Sequence, residues 1–95
     1  MPLRFEWDPE KAAQNLAKHD VSFPEAEGVF ADPLALELPD RDHSDDEERW
    51  ILIGESYRRR LLVVVFTERE EVVRLISARR ATPAETKSYE EQERP

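Results

Sequence analysis

The chain predicts an α+β fold: two N-terminal helices, a central antiparallel sheet of three to four strands, and a C-terminal helix. Three observations carry this expectation. Helix-start patterns with proline in the first turn occur at Asp8-Pro9-Glu10, Ser22-Phe23-Pro24-Glu25 and Thr82-Pro83-Ala84-Glu85. Three β-rich runs, Trp50 to Ile53, Leu61 to Thr67 and Val72 to Ala78, follow one another with linkers of hairpin length. The middle run, Leu61-Leu62-Val63-Val64-Val65-Phe66, is apolar at every position, as a central strand covered on both faces must be.

Each element has its own local reason. Asp8 is a helix N-cap, and Ala12, Ala13, Leu16 and Ala17 recur on one face, so a helix is predicted from Pro9 to His19. Ser22 and Glu25 form a capping-box pattern ahead of Ala26, Val29 and Phe30, and Asp32-Pro33 ends that short second helix. Leu34, Leu36 and Leu38 alternate with other residues and predict a brief half-exposed strand before the polar segment Pro39 to Glu48. The three β-rich runs then form a meander, and Pro83 to Glu91 a last helix. The apolar middle strand requires helices on both faces of the sheet, or a partner chain on one of them.

Ninety-five residues leave room for a single domain spanning 1–95. Apolar residues are 39% of the chain and charged ones 38%, enough for a core under a very ionic surface. The longest apolar run falls far short of the roughly 20 residues that span a bilayer, and Met1 to Phe5 lacks a signal-peptide core. A soluble, cytoplasmic protein without membrane contact is expected. With no cysteine there is no disulfide, no thiol nucleophile and no thiolate zinc site, and only His19 and His43 offer an imidazole.

The net charge of −8 argues against nucleic acid on average, but the charge is segregated. Residues 1–57 carry five basic and fifteen acidic side chains, whereas residues 58–87 carry eight basic and four acidic. The basic half can hold an anion while the acidic half meets a basic partner.

Several familiar chemistries fail on spacing. Asp40-Arg41-Asp42-His43-Ser44-Asp45 begins like a calcium loop, but Asp45 stands where the turn needs glycine and Ile51 where a bidentate glutamate belongs. No HExxH pair occurs, and Gly54-Glu55-Ser56-Tyr57-Arg58 lacks the second glycine of a nucleophile elbow. His19 is explained as a cation at a helix C-terminus. His43, among acids that favour the imidazolium, is either a proton donor or a solvated loop histidine.

The arginines point to phosphate chemistry. Strand alternation places Arg74 and Arg80 on one face of the last strand and Arg79 on the other, while Arg58-Arg59-Arg60 enters the central strand beside Arg79. A gathering of guanidinium groups at one sheet end suits a phosphodiester and the added charge of its transition state. The alternative is that these arginines pair with Glu85, Glu90 and other acids of the last helix. Glu68 and Glu71 lie at the opposite hairpin turn.

The chain resembles the BrnT family, toxin components of bacterial toxin–antitoxin pairs with a RelE-like ribonuclease fold. The resemblance is nearly full length and rests on FEWDPEKAAQNLAKHDVSFPEA, VFADPLAL, HSDDEERWILIGES, RRLLVVVFTER and VVRLISARRATPAETKSYEE, in order and spacing. Asp20 stands in KHD where the family usually shows KHG. The resemblance implies a RelE-like toxin domain that cleaves RNA without a metal or cofactor and arrests growth, using the ribose 2′-hydroxyl as nucleophile. It also implies a hetero-oligomer with a BrnA-like ribbon-helix-helix antitoxin, through which DNA is contacted. By motif, Arg60, Glu68, Arg74 and Arg79 fall where the family places its active-site charges, with Arg58, Arg59, Arg80 and His43 as substrate-binding residues. The rival reading is a non-catalytic module that complexes an antitoxin and tunes its repression of DNA.

Overall fold

The computed structural model describes residues 3–41 and 48–92. In chain order the elements are β1 (Arg4–Glu6), α1 (Pro9–His19), α2 (Phe23–Val29), β2 (Leu36–Pro39), β3 (Trp50–Glu55), β4 (Leu61–Arg69), β5 (Val72–Arg80) and α3 (Pro83–Gln92). The class is α+β, as expected. The strands form one five-stranded sheet in the order β1-β5-β4-β3-β2. It is mixed rather than antiparallel: β2 through β5 pair antiparallel, and β1 adds to the edge of β5 in parallel. Three residues are too few for a periodic signal, so β1 has no signature of its own; its Phe5 is held by tertiary contact with Phe30, ring centroids 5.0 Å apart.

The caps form as their residue types dictate. Asp8 accepts from the Glu10 N–H at 2.9 Å and the Ser22 hydroxyl from the Glu25 N–H at 3.1 Å. Thr82 and Glu85 make a reciprocal box, with Glu85 Oε1 accepting from the Thr82 N–H at 2.8 Å and the Thr82 hydroxyl from the Glu85 N–H at 3.2 Å. Asp20 ends α1 in the left-handed conformation at φ 58, which explains why glycine suits that place.

Helices α1 and α2 cover one face of the sheet, over Leu62, Val64 and Phe66 of β4 and Val73, Leu75 and Ala78 of β5. Within α1 the buried face differs from the apolar stripe read from the sequence. Leu16 is exposed, and Asn15 is the buried residue. Gly54 sits where α2 presses closest on β3: a Cβ there would lie 2.9 Å from Val29 Cγ1.

The other face is only partly covered. Helix α3 crosses it at the end where Ile53 and Val63 lie buried, tied down by Arg79 to Glu85, by the Tyr89 hydroxyl to Asp32 at 2.7 Å, and by the Gln92 amide to the Leu34 carbonyl at 2.6 Å. Both sides of the apolar central strand are thus protected, by two helices on one face and a third across part of the other. Among the described residues no helix is long and apolar enough to cross a membrane.

One irregularity interrupts the ladder between β4 and β5. Val65 pairs with Ser77 and Phe66 with Leu75, so Ile76 is an extra residue without a partner on β4, a β-bulge. Strict alternation would separate Arg74 from Arg79. Because of the bulge, Arg74 (opposite Thr67) and Arg79 (opposite Val63) share the face away from α1 and α2, and Arg80 (opposite Leu62) turns to the helical face. The sequence alternation, which set Arg74 with Arg80 and Arg79 apart, is thereby reversed: Arg74 stands with Arg79, and Arg80 lies on the opposite face.

Candidate functional site

The open part of the sheet forms a trough of about 390 Å³. Its floor is apolar, built from Ile51, Val63, Val65 and Ile76, and Asp40, Arg49, Ser77 and Arg79 supply its polar rim. The strands explain the composition. Leu36 and Leu38 pair with Ile53 and Ile51, which puts Asp40, two residues further on, over the same face. That period of two, Leu36, Leu38, Asp40, is a signal present in the sequence, but the sequence expectation ends the strand before Asp40 and assigns that residue only to a calcium-like loop. Arg49 follows from it, since its carbonyl accepts from the Asp40 N–H at 2.9 Å. Ser77 carries no such signal, because the bulge beside it decides where it points.

Arg79 stands at the α3 end of the trough. Its guanidinium grips Glu85 in a bidentate pair, at 2.8 Å from Nη1 to Oε1 and 2.7 Å from Nη2 to Oε2, and also donates to the Arg80 carbonyl at 3.2 Å. These bonds use three of its five N–H groups. The Arg79 guanidinium holds the Glu85 carboxyl down to about 2, against burial and with help from the Thr82 N–H. Reciprocally, Glu85 raises Arg79 above its ordinary value. Pairing with an acid of the last helix was the alternative read from the sequence, and for Arg79 it is what the structure contains.

Arg60 is elsewhere. It lies on the helical side, where its Nε donates to Glu25 Oε2 at 3.0 Å, one Nη reaches Glu25 Oε1, and the same Nη donates to the Asp20 carbonyl at 2.9 Å. Glu25 is buried in α2 and also accepts from the Ser56 hydroxyl at 2.7 Å. The Arg60 guanidinium lowers the Glu25 carboxyl, burial opposes it, and the Ser56 bond adds to the lowering. This pair clamps the start of β4 to α2. Arg58 is exposed and lies 3.7 Å from Glu25, and Arg59 holds a left-handed turn at φ 63.

Arg74 occupies the far end of β5, paired with Glu6 across β1 at 2.8 Å. The expected cluster of Arg60, Arg74 and Arg79 is therefore not formed: two faces and the length of β5 separate its members. Glu68 is exposed near the β4–β5 hairpin, as expected, and distant from Arg79 along β4. Arg80 is exposed on the helical side. His43, with the rest of the segment 42–47, lies outside the described residues.

A helix pair thus covers one face of a mixed sheet, and an arginine-edged trough lies on the other. The crystal structure of the ribonuclease toxin BrnT of Brucella abortus is similar at a TM-score of 0.66, covering 85% of this chain and 99% of that one at 25% identity. The chain belongs to the BrnT family, ribonuclease toxins of type II toxin–antitoxin systems, whose family model matches residues 7–85. Membership in such a family implies an antitoxin as partner. No curated protein matches the chain significantly.

Proposed function

We propose that this protein is an endoribonuclease toxin that binds RNA along the trough and cleaves it without a metal, with Arg79 facing the scissile phosphate. The 2′-hydroxyl attacks phosphorus and gives its proton to a base. The bond to the 5′ oxygen breaks, that oxygen takes up a proton, and a 2′,3′-cyclic phosphate remains. Acting in the cytoplasm, the protein stops growth until a BrnA-like ribbon-helix-helix antitoxin binds it in a hetero-oligomer.

The observation that carries this reading is the fixed orientation of Arg79. Glu85 holds the guanidinium at the rim while two N–H groups stay outside those bonds, so donors are in place before charge develops on the phosphate. His43 and Asp40 are the candidates for moving protons, with Arg49 as a second phosphate contact.

A second reading is a binding module without catalysis, and one observation favours it. Arg60, Arg74 and Arg79 each already hold a carboxylate of the same chain, Glu25, Glu6 and Glu85.

Incubation with long single-stranded RNA in EDTA, with the ends mapped, separates the two. The first reading expects cyclic-phosphate ends from wild type and about a hundredfold slower cleavage by Arg79→Lys, which keeps the charge but loses the planar fork. No cleavage, together with normal growth on induction without antitoxin, overturns it in favour of the module.

A further inference from the structure

The same sheet face carries a second concentration of positive charge, and neither the trough nor the proposed chemistry uses it. At the β1 and hairpin end, Arg4, Arg69 and Arg74 surround a pocket of about 230 Å³ with Thr67 on its wall and Glu6 and Glu70 at its margin. The side chains come from three elements: β1, the end of β4 and the start of β5. Parallel pairing brings Arg4 opposite Val72 and Glu6 opposite Arg74, and the hairpin brings Arg69 opposite Val72 from the other side.

Its relation to the trough follows from register. Arg74 pairs with Thr67 and Arg79 with Val63, four residues apart along β4, so the two arginines stand roughly 13 Å apart on one face. Val65 and Ile76, in the trough floor, lie between them. Arg74 and Glu6 are about half exposed, at 47% and 53%, so their ion pair is a surface pair of small net stability that a phosphate oxygen can replace.

We propose that Arg4, Arg69 and Arg74 form a second phosphate subsite that holds the backbone of the same RNA strand some nucleotides away from the bond cut beside Arg79. This rests on the ribonuclease reading and deepens it. The substrate is then a single strand long enough to lie across the whole face, from one arginine pole to the other, over an apolar floor. A probe of about 12 nucleotides reaches both poles, whereas one of about 3 nucleotides, with two internucleotide phosphates, is too short and engages only one.

The test is equilibrium binding of 2′-O-methyl RNA, which cannot supply the nucleophile, in probes of about 12 and about 3 nucleotides across a salt series. For the longer probe, Arg4→Gln with Arg69→Gln is expected to weaken binding about tenfold or more and to flatten the log–log salt slope by about 1.4, two single-strand phosphates. The shorter probe is expected to show wild-type affinity, and Arg4→Lys with Arg69→Lys to restore most of the binding. Unchanged affinity and slope for the longer probe overturns the subsite while leaving the ribonuclease reading intact. Equal losses for both probes also overturn it, since the pocket then has no separate role. If wild type binds neither probe, the ribonuclease reading fails and the subsite with it.

Discussion

Asn15 and Ala78, 63 residues apart, are joined by two hydrogen bonds: the Ala78 N–H donates to Asn15 Oδ1 at 3.1 Å, and the Ala78 carbonyl accepts from Asn15 Nδ2 at 2.8 Å. Among the described residues β1 pairs only with Val72, Val73 and Arg74, and no described strand lies along the outer edge of β5 beyond them. The Asn15 amide, which has the shape and polarity of a peptide, takes the place of the missing neighbour. Its Nδ2 also reaches the Val21 carbonyl at 2.9 Å, which fixes the link between α1 and α2.

Replacing Asn15 by Leu removes every one of these bonds and leaves a buried N–H and two buried carbonyls on the main chain without their partner. Each such group costs about 1–3 kcal/mol, so a loss of some 3 kcal/mol or more is expected. Urea titration should show a lower midpoint with an unchanged slope. A midpoint equal to wild type would mean that water or the backbone substitutes freely for the amide.

Arg60→Ala strands the Glu25 carboxylate in the core and is expected to cost about 3–5 kcal/mol. The double variant Glu25→Leu with Arg60→Leu, which leaves no buried charge, should regain much of that loss. If the double variant unfolds as easily as the single one, the pair contributes attraction well beyond its own desolvation.

Glu85 predicts an acid-labile α3. Its folded value, about 2, lies below the ordinary 4.5, so its stabilisation is complete above about pH 4.5 and fades as pH falls toward 2. Between about pH 5 and 2, Tm of wild type should therefore fall more than Tm of Glu85→Gln, which has no carboxyl to protonate there. Glu25 and Asp32, also lowered, fade in the same direction in both proteins. Parallel curves would show that Arg79 does not hold the Glu85 carboxylate in solution.

The β4–β5 hairpin turns on Glu70 and Glu71 with φ of 47 and 70, both left-handed, in a two-residue loop between the paired Arg69 and Val72. Such turns favour Asn-Gly. Replacing Glu70-Glu71 by Asn-Gly is expected to stabilise the protein by about 1–2 kcal/mol, read as a higher urea midpoint. An unchanged midpoint would place the turn in some other conformation.

Legibility in the sequence followed distance along the chain. The α1 boundaries, Pro9 and His19, come from Asp8, Pro9 and the turn at Asp20, all within one helical turn of the ends they set. The hairpins and all three helix caps were readable for the same reason. The buried face of α1 was not, because the partner of Asn15 is a backbone group on β5.

What the sequence by itself determined is therefore every element except β1, their order, the α+β class and the family resemblance, since caps, turns and apolar runs act between near neighbours. The tertiary structure decided the rest: β1 as a parallel edge strand, the Asn15 bridge, and the fate of each arginine. One extra residue at Ile76 brings Arg74 to the face of Arg79 and sends Arg80 away, while Glu25 takes Arg60 into the helical side. The side-chain period of a strand is two, so a single bulge reverses every residue beyond it, and a bulge is a property of pairing between strands rather than of either strand alone.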